Sequence, residues 1–277
     1  MATPYSRRLS REEVAAFGAE LDALRARIVA ELGEPDARYI RRIRDTVRYS
    51  EFIGRGLLFA GLFPPAWLAG SITLGVSKIL ENMELGHNVI HGQYDWMNDP
   101  EFNSARYEWD NVCASSAWRK THNHIHHTYT NIIGRDDDIG YGVLRIFPEQ
   151  PWHPVNLLQP LYATVMAVLF QYGVGIQDSK IDRVLAGKLS LRAAWPDLKI
   201  FARKIRRQTL KDYVAFPLLA GPAALAVLSG NLTANLIRNL WAFAIIFCGH
   251  FTEDAQTFPE SVLEGETRGD WYLRQLH

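Results

Sequence analysis

The sequence predicts an all-α membrane protein, with two transmembrane helical hairpins (about four spans), interfacial helices and a cytoplasmic cap rich in histidine. Three observations carry that expectation. Apolar residues are bunched into the runs FIGRGLLFAGLFPPAWLAGSITLGVSKIL and YVAFPLLAGPAALAVLSGNLTANLIRNLWAFAIIFCG, too long and too poor in charge for core helices of a soluble bundle. Each run is broken near its middle, by Pro64-Pro65 in the first and by Ser229-Gly230-Asn231 in the second. That leaves pieces close to the ~20 residues that cross a hydrocarbon core. Finally, four of the nine histidines fall within KTHNHIHHTYTN, beyond the first pair of spans.

Taken in order, the N-terminal segment 1–45 reads as an amphipathic helix. Ser10 and Glu13 fit a capping box, and Val14, Phe17, Leu21, Leu24, Ile28 and Leu32 recur at spacings of three and four, which predicts a packing face. It lacks the apolar stretch of a secretory signal. Residues 46–277 form the second unit. Arg38, Arg41, Arg42, Arg44 and Arg48 precede the first hairpin, and Lys199, Arg203, Lys204, Arg206, Arg207 and Lys211 precede the second, whereas neither tip carries Lys or Arg. The positive-inside rule therefore opens both hairpins towards the cytoplasm and places residues 86–212, and those after 250, on that side. A third apolar run, VNLLQPLYATVMAVLFQYGVGI, would invert the next basic loop if it crossed once, so it is expected to be interfacial or re-entrant.

Composition excludes several classes. Thirty basic residues balance thirty acidic ones, and the eight tryptophans are not interleaved with basic residues, which argues against nucleic-acid binding. The two cysteines, Cys113 and Cys248, form no CxxC, leaving neither a zinc ribbon nor a disulfide framework.

Beyond the second span, Glu84, His87 and His91 share one face of a helix, and two imidazoles four residues apart can hold one metal from adjacent turns. In the second cluster His122 and His126 align on a helix, while His127 turns about 100° from its neighbour. One metal with supporting groups, or a pair of metals, is then open. His124 faces the other way. Imidazoles without nearby thiolates suit Fe, Zn, Cu or Ni, and a site at the membrane edge suits oxygen chemistry on an apolar substrate. Ligands outside the apolar runs argue against a metal transporter, which places polar ligands at mid-membrane.

GHNVIHGQYDWMNDP and WRKTHNHIHHTYTNIIGRDDDIGYG resemble the first two histidine boxes, HxxxH and HxxxHH, of the membrane-bound fatty acid desaturases, and the likeness runs from about Arg42 to the end of the chain. It implies an O2-dependent acyl desaturase with two non-haem irons, held by His87, His91, His122, His126 and His127. FCGHFTEDAQTF is similar to the family's segment after the last crossing and adds His250 as a further ligand or supporting group. Asp136, Asp137 and Asp138 would orient imidazoles or cap a turn. The partners implied are an acyl lipid (acyl-CoA, acyl carrier protein or phospholipid), O2, and a separate electron donor such as a ferredoxin or haem protein with its reductase. A hydroxylase built on the same site, or a non-catalytic remnant, are the alternatives. The family's third box, QxxHH, has no counterpart before RGDWYLRQLH, and a lone His277 cannot replace it, so the expectation for this polypeptide is fewer than two equivalents of iron.

Overall fold

The computed structural model describes residues 9–276, and His277 lies outside them. Among the described residues the protein is all-helical, with no strand beyond an isolated pairing of Ile132 with Phe258. The helices are α1 (Arg11–Glu31), α2 (Glu34–Phe59), α3 (Pro64–Ile79), α4 (His87–Ile90), α5 (Ser115–Trp118), α6 (His127–Tyr129), α7 (Gln159–Val168), α8 (Phe170–Asp178), α9 (Ile181–Leu185), α10 (Leu191–Thr209), α11 (Phe216–Leu219), α12 (Ala224–His250) and α13 (Arg268–Leu276). Three wide π-helical turns are spliced between them, at Leu80–Gly86, Arg119–His126 and Leu210–Ala215.

The capping box forms: Glu13 N–H donates to Ser10 Oγ at 3.1 Å, and Ser10 N–H to the Glu13 carboxylate at 2.6 Å. The packing face expected of α1 does not. Only Val14 of that stripe is buried, whereas Leu24 and Ile28 are exposed. The helix docks against α13, where Gly18 meets Gly269 so closely that a Cβ on Gly18 would lie 2.9 Å from the Gly269 Cα, and Asp22 accepts from the Tyr272 hydroxyl at 2.6 Å. The following helix, α2, starts with Pro35 in its first turn and passes residue 45 without a break.

The first hairpin turns where the prolines stand, between Phe59 and Pro64. Small residues bring its arms together: a Cβ on Gly54 would lie 2.8 Å from the Leu74 backbone nitrogen. Against expectation, Ser229-Gly230-Asn231 is not a turn. The break falls at Ala220–Gly221, where Gly221 takes a φ of +55°, and α12 runs through 229–231 unbroken. Tertiary contacts explain why turn-forming residues sit inside a helix. A Cβ on Gly230 would lie 2.2 Å from Leu58 Cδ2, and the buried Asn231 amide donates to the Asp212 carbonyl at 2.6 Å.

Gly221–His250 is long and apolar enough to cross a membrane, with mean hydropathy 1.4. The stretch 154–178, expected to be interfacial or re-entrant, bends by 90° at the junction of α7 and α8. Phe52, Leu62, Leu218, Leu225, Leu232 and Leu240 all turn outward, forming an apolar exterior around α2, α3, α11 and α12. Inside, Asp212 is fully buried and binds Lys78 at 2.8 Å and Arg55 at 3.0 Å.

Candidate metal centre

The first histidine cluster follows a π-helical turn and the second lies within one. In such a turn the backbone hydrogen bond spans five residues: His87 N–H reaches the Asn82 carbonyl, and His127 N–H the His122 carbonyl. This widening corrects one feature of the α-helical reading: Glu84 does not stand with His87 and His91, and its carboxylate accepts from the Tyr39 hydroxyl. His127 lies beside His122, their rings 4.8 Å apart.

The clusters meet edge to edge. Ring centroids lie at 4.6 Å for His87 and His91, 5.4 Å for His87 and His122, 5.3 Å for His91 and His122, and 4.8 Å for His91 and His127. His126 stacks on His122 at 5.0 Å and touches the ring of His250, at the end of α12, at 4.9 Å. His124 alone of the second cluster is exposed. Ligand-capable atoms of His87, His91 and His122 lie within 4.8 Å of one another, as do those of His122, His126 and Asp138.

The surroundings fix the rings. Asp136, itself buried, accepts from His126 Nδ1 at 3.0 Å and from the backbone N–H groups of Asn131 and Asp138. Asp138 lies 3.3 Å from His122 Nδ1. Asp137 turns outward to Arg183. Trp118 stacks on His122 at 4.2 Å with the planes 18° apart, and Asn123 donates to the Ile90 carbonyl at 2.8 Å, tying the second cluster to the first. The buried Arg274 guanidinium of α13 donates to the carbonyls of Thr128 and Thr130, so the chain returns to brace the segment that carries His126 and His127.

Burial pushes His87 down to about 3, and His91 and His127 to about 4, with neighbouring imidazoles adding to each shift. His122 shifts downward for the same reasons. Burial also opposes charge on His126, but the hydrogen bond it donates to Asp136 and the charges of Asp138 and Asp136 prevail and raise it. Four rings are therefore neutral at pH 7, the state in which imidazole coordinates a metal. The Nε2 of His127 is buried without a hydrogen-bond partner, as a nitrogen reserved for an ion would be. The donor set, imidazoles with one carboxylate and no thiolate, suits a first-row transition metal.

A cavity of about 310 Å³ opens beside His87, His122 and His250, walled by Trp109, Trp118, Phe170, Val174 and Ile245 among others.

Residues 62–277 match the fatty acid desaturase family. The chain belongs to that family. This desaturase-family chain is 46% identical over 272 residues, 97% of its own length, to an NADPH-dependent stearoyl-CoA 9-desaturase of Mycobacterium tuberculosis, and spans 64% of that protein. It is 36% identical over 239 residues, 79% of its length, to an sn-1 linoleoyl-lipid 6-desaturase of Synechocystis, spanning 62% of it. No solved structure matches.

Two features of this desaturase-family site had no place in the expectations drawn from sequence. Trp118 lies in WRKTH with nothing to mark it as a ring partner. Arg238 left a signal, a lone charge inside the most apolar run. Its side chain is buried in the cavity wall.

Proposed function

We propose that this chain carries the reaction site of a membrane-bound, O2-dependent fatty acyl desaturase, with His87, His91, His122, His126, His127 and His250 as the imidazoles it contributes to a non-haem iron site. The carrying observation is that all six rings form one connected cluster at the mouth of an apolar cavity. Iron held there would supply the dioxygen chemistry that removes two hydrogens from adjacent methylenes. The protein's share is positional. Asp136 fixes the His126 ring and leaves its Nε2 for coordination, Asp138 does the same for His122, and Trp118 holds the His122 plane. Trp109, Phe170 and Ile245 exclude water from the methylenes and hold the chain against the imidazoles. The acyl substrate carries a coenzyme A, carrier-protein or lipid head, and the 46% identity to a stearoyl-CoA desaturase favours coenzyme A. Electrons reach the site from a separate protein, a ferredoxin or haem protein with its reductase. The NADPH-dependence in the mycobacterial relative's name agrees with a reductase at the start of that route.

For the membrane, the reading is four spans in two hairpins, with the histidines on the cytoplasmic side, residues 46–277 as the reaction unit and 1–45 as an appended segment. The outward apolar side chains of α2, α3, α11 and α12 support it.

The test is expression in a host lacking acyl desaturases, with iron content measured on the purified chain and cellular fatty acids analysed by mass spectrometry. New monounsaturated chains, lost in His122→Ala together with the iron, support the proposal. Hydroxylated chains would transfer the site to a hydroxylase, and neither product with no bound iron would sink it.

A further inference from the structure

The cavity beside the histidines is apolar along most of its wall, yet two of the residues that line it each carry a buried polar atom without a hydrogen-bond partner. Arg238 is 2% exposed; its Nε and Nη2 both donate to Asn239 Oδ1, at 3.2 and 3.1 Å, and its Nη1 has no partner. Gln171, 3% exposed, lines the same cavity with Oε1 unpaired. A buried guanidinium nitrogen left without an acceptor is costly. The nearby carboxylates cannot serve. Asp212 is shared by Lys78 and Arg55, and Asp110 is held by Lys211 at 2.5 Å with Lys78 at 3.8 Å. Among the described residues, four cations thus surround two carboxylates here, and Arg238 is the one outside every ion pair. Arg238 and His250 share α12, twelve residues and roughly 18 Å apart along the axis, and both line the cavity. A ligand filling the space therefore has an imidazole cluster at one place and a hydrogen-bond donor at another.

We propose that Arg238 Nη1 anchors the carboxyl-derived oxygen of the acyl ligand, and so sets which methylenes lie against the histidines. This rests on the acyl-desaturase reading and deepens it. Two sources supply the same oxygen, a free carboxylate or the carbonyl of a thioester. They differ at Gln171, whose Oε1 needs a donor that only the amide-bearing arm of a pantetheine thioester brings.

Trp109 and Trp118 in the cavity wall give a readout independent of turnover. The purified chain in lipid nanodiscs is titrated with three probes of equal length: a dibrominated fatty acid, its pantetheine thioester and the dibrominated alkane. The signal is the tryptophan quenching abolished in Trp109→Phe/Trp118→Phe. The two oxygen-bearing probes should bind about tenfold or more tightly than the alkane, the margin of one hydrogen bond to a charged group. Arg238→Met should bring all three to the alkane's affinity, with Arg238→Lys between. If the thioester is the source, it outbinds the acid, and Gln171→Leu removes that margin; equal affinities assign the free carboxylate. Equal binding of alkane and acid to the unmodified chain overturns the proposal, whether or not the Arg238 variants fold, and so does an Arg238→Met protein that keeps the preference. Neither outcome touches the desaturase reading, which stands on iron content and products.

Discussion

At the scale of single residues, the site depends on carboxylates behind the rings. Asp136 is buried, its acceptors all engaged by His126 and two backbone N–H groups, so Asp136→Asn should free the His126 ring to rotate. Iron affinity should fall by about 10- to 100-fold, read by competition with a chelator, while circular dichroism stays unchanged. The neutral rings also set a pH dependence. His87, His91 and His127 sit well below the ordinary histidine value in the fold, at about 3, 4 and 4, and regain it on unfolding. Below about pH 6.5 the unfolded chain binds more protons than the fold, so stability present at pH 7 is lost as pH falls towards 4. His126, shifted upward, works in the opposite direction, as do the carboxyls of Asp138 and Asp178, which burial raises, against these three, His122 and His250. The melting temperature of the metal-free chain should therefore drop between pH 7 and 5; a flat profile would show that the rings are solvated. The convergence of the histidines was legible in sequence because imidazoles at spacings of four and five have few other uses. The Trp118 stack was not, because nothing in the primary structure distinguishes a tryptophan under a histidine from one in a core.

At the scale of elements, the histidines come together because the helices that carry them widen. A strict α-helix would put Glu84 beside His87, and the π turn at Leu80–Gly86 does not. Propensity carries no marker for such a turn, which exists because contacts across the molecule stabilise it. The second hairpin teaches the same lesson: Ser229-Gly230-Asn231 has turn chemistry, yet Gly230 is used for its missing side chain and Asn231 for its amide. Pro64-Pro65, by contrast, was readable, since no tertiary contact restores a missing N–H. Gly230→Val should therefore cost at least the ~1–3 kcal/mol of an overpacked core, measured as a lower melting temperature in detergent, because Leu58 of α2 is packed against Leu74 of α3 and Val227 of α12 and cannot retreat. Gly269→Val should act locally. Its Cβ would lie 2.1 Å from the Val14 carbonyl oxygen, so α1 should detach from α13 and become sensitive to protease with the site intact.

At the scale of the whole molecule, the proposed arrangement of two hairpins with their histidines on one side would require the segments around Lys120 and Arg206 to face the same compartment. With Cys248, the exposed natural thiol, changed to serine and Cys113 left buried, single cysteines at Lys120 and at Arg206 should react with an impermeant maleimide only from the cytoplasmic side. Labelling from opposite sides would make the bent 154–178 stretch a true crossing. The buried Asp212 carries a consequence for how such a protein is made. Its partners Lys78 and Arg55 lie 134 and 157 positions earlier in the chain; Arg55 has Glu51 at 2.8 Å within its own helix, so the ribosome delivers the first hairpin with Lys78 as the cation whose anion has not yet been synthesised. A lone charge is poorly tolerated in lipid, and stranding one costs about 3–5 kcal/mol. The early hairpin must therefore be sheltered, by the insertion machinery or at the headgroups, until the later one arrives to neutralise it. Asp212→Asn would leave that wait without an end, and nascent chains arrested beside the translocon are where the lesion should first be seen.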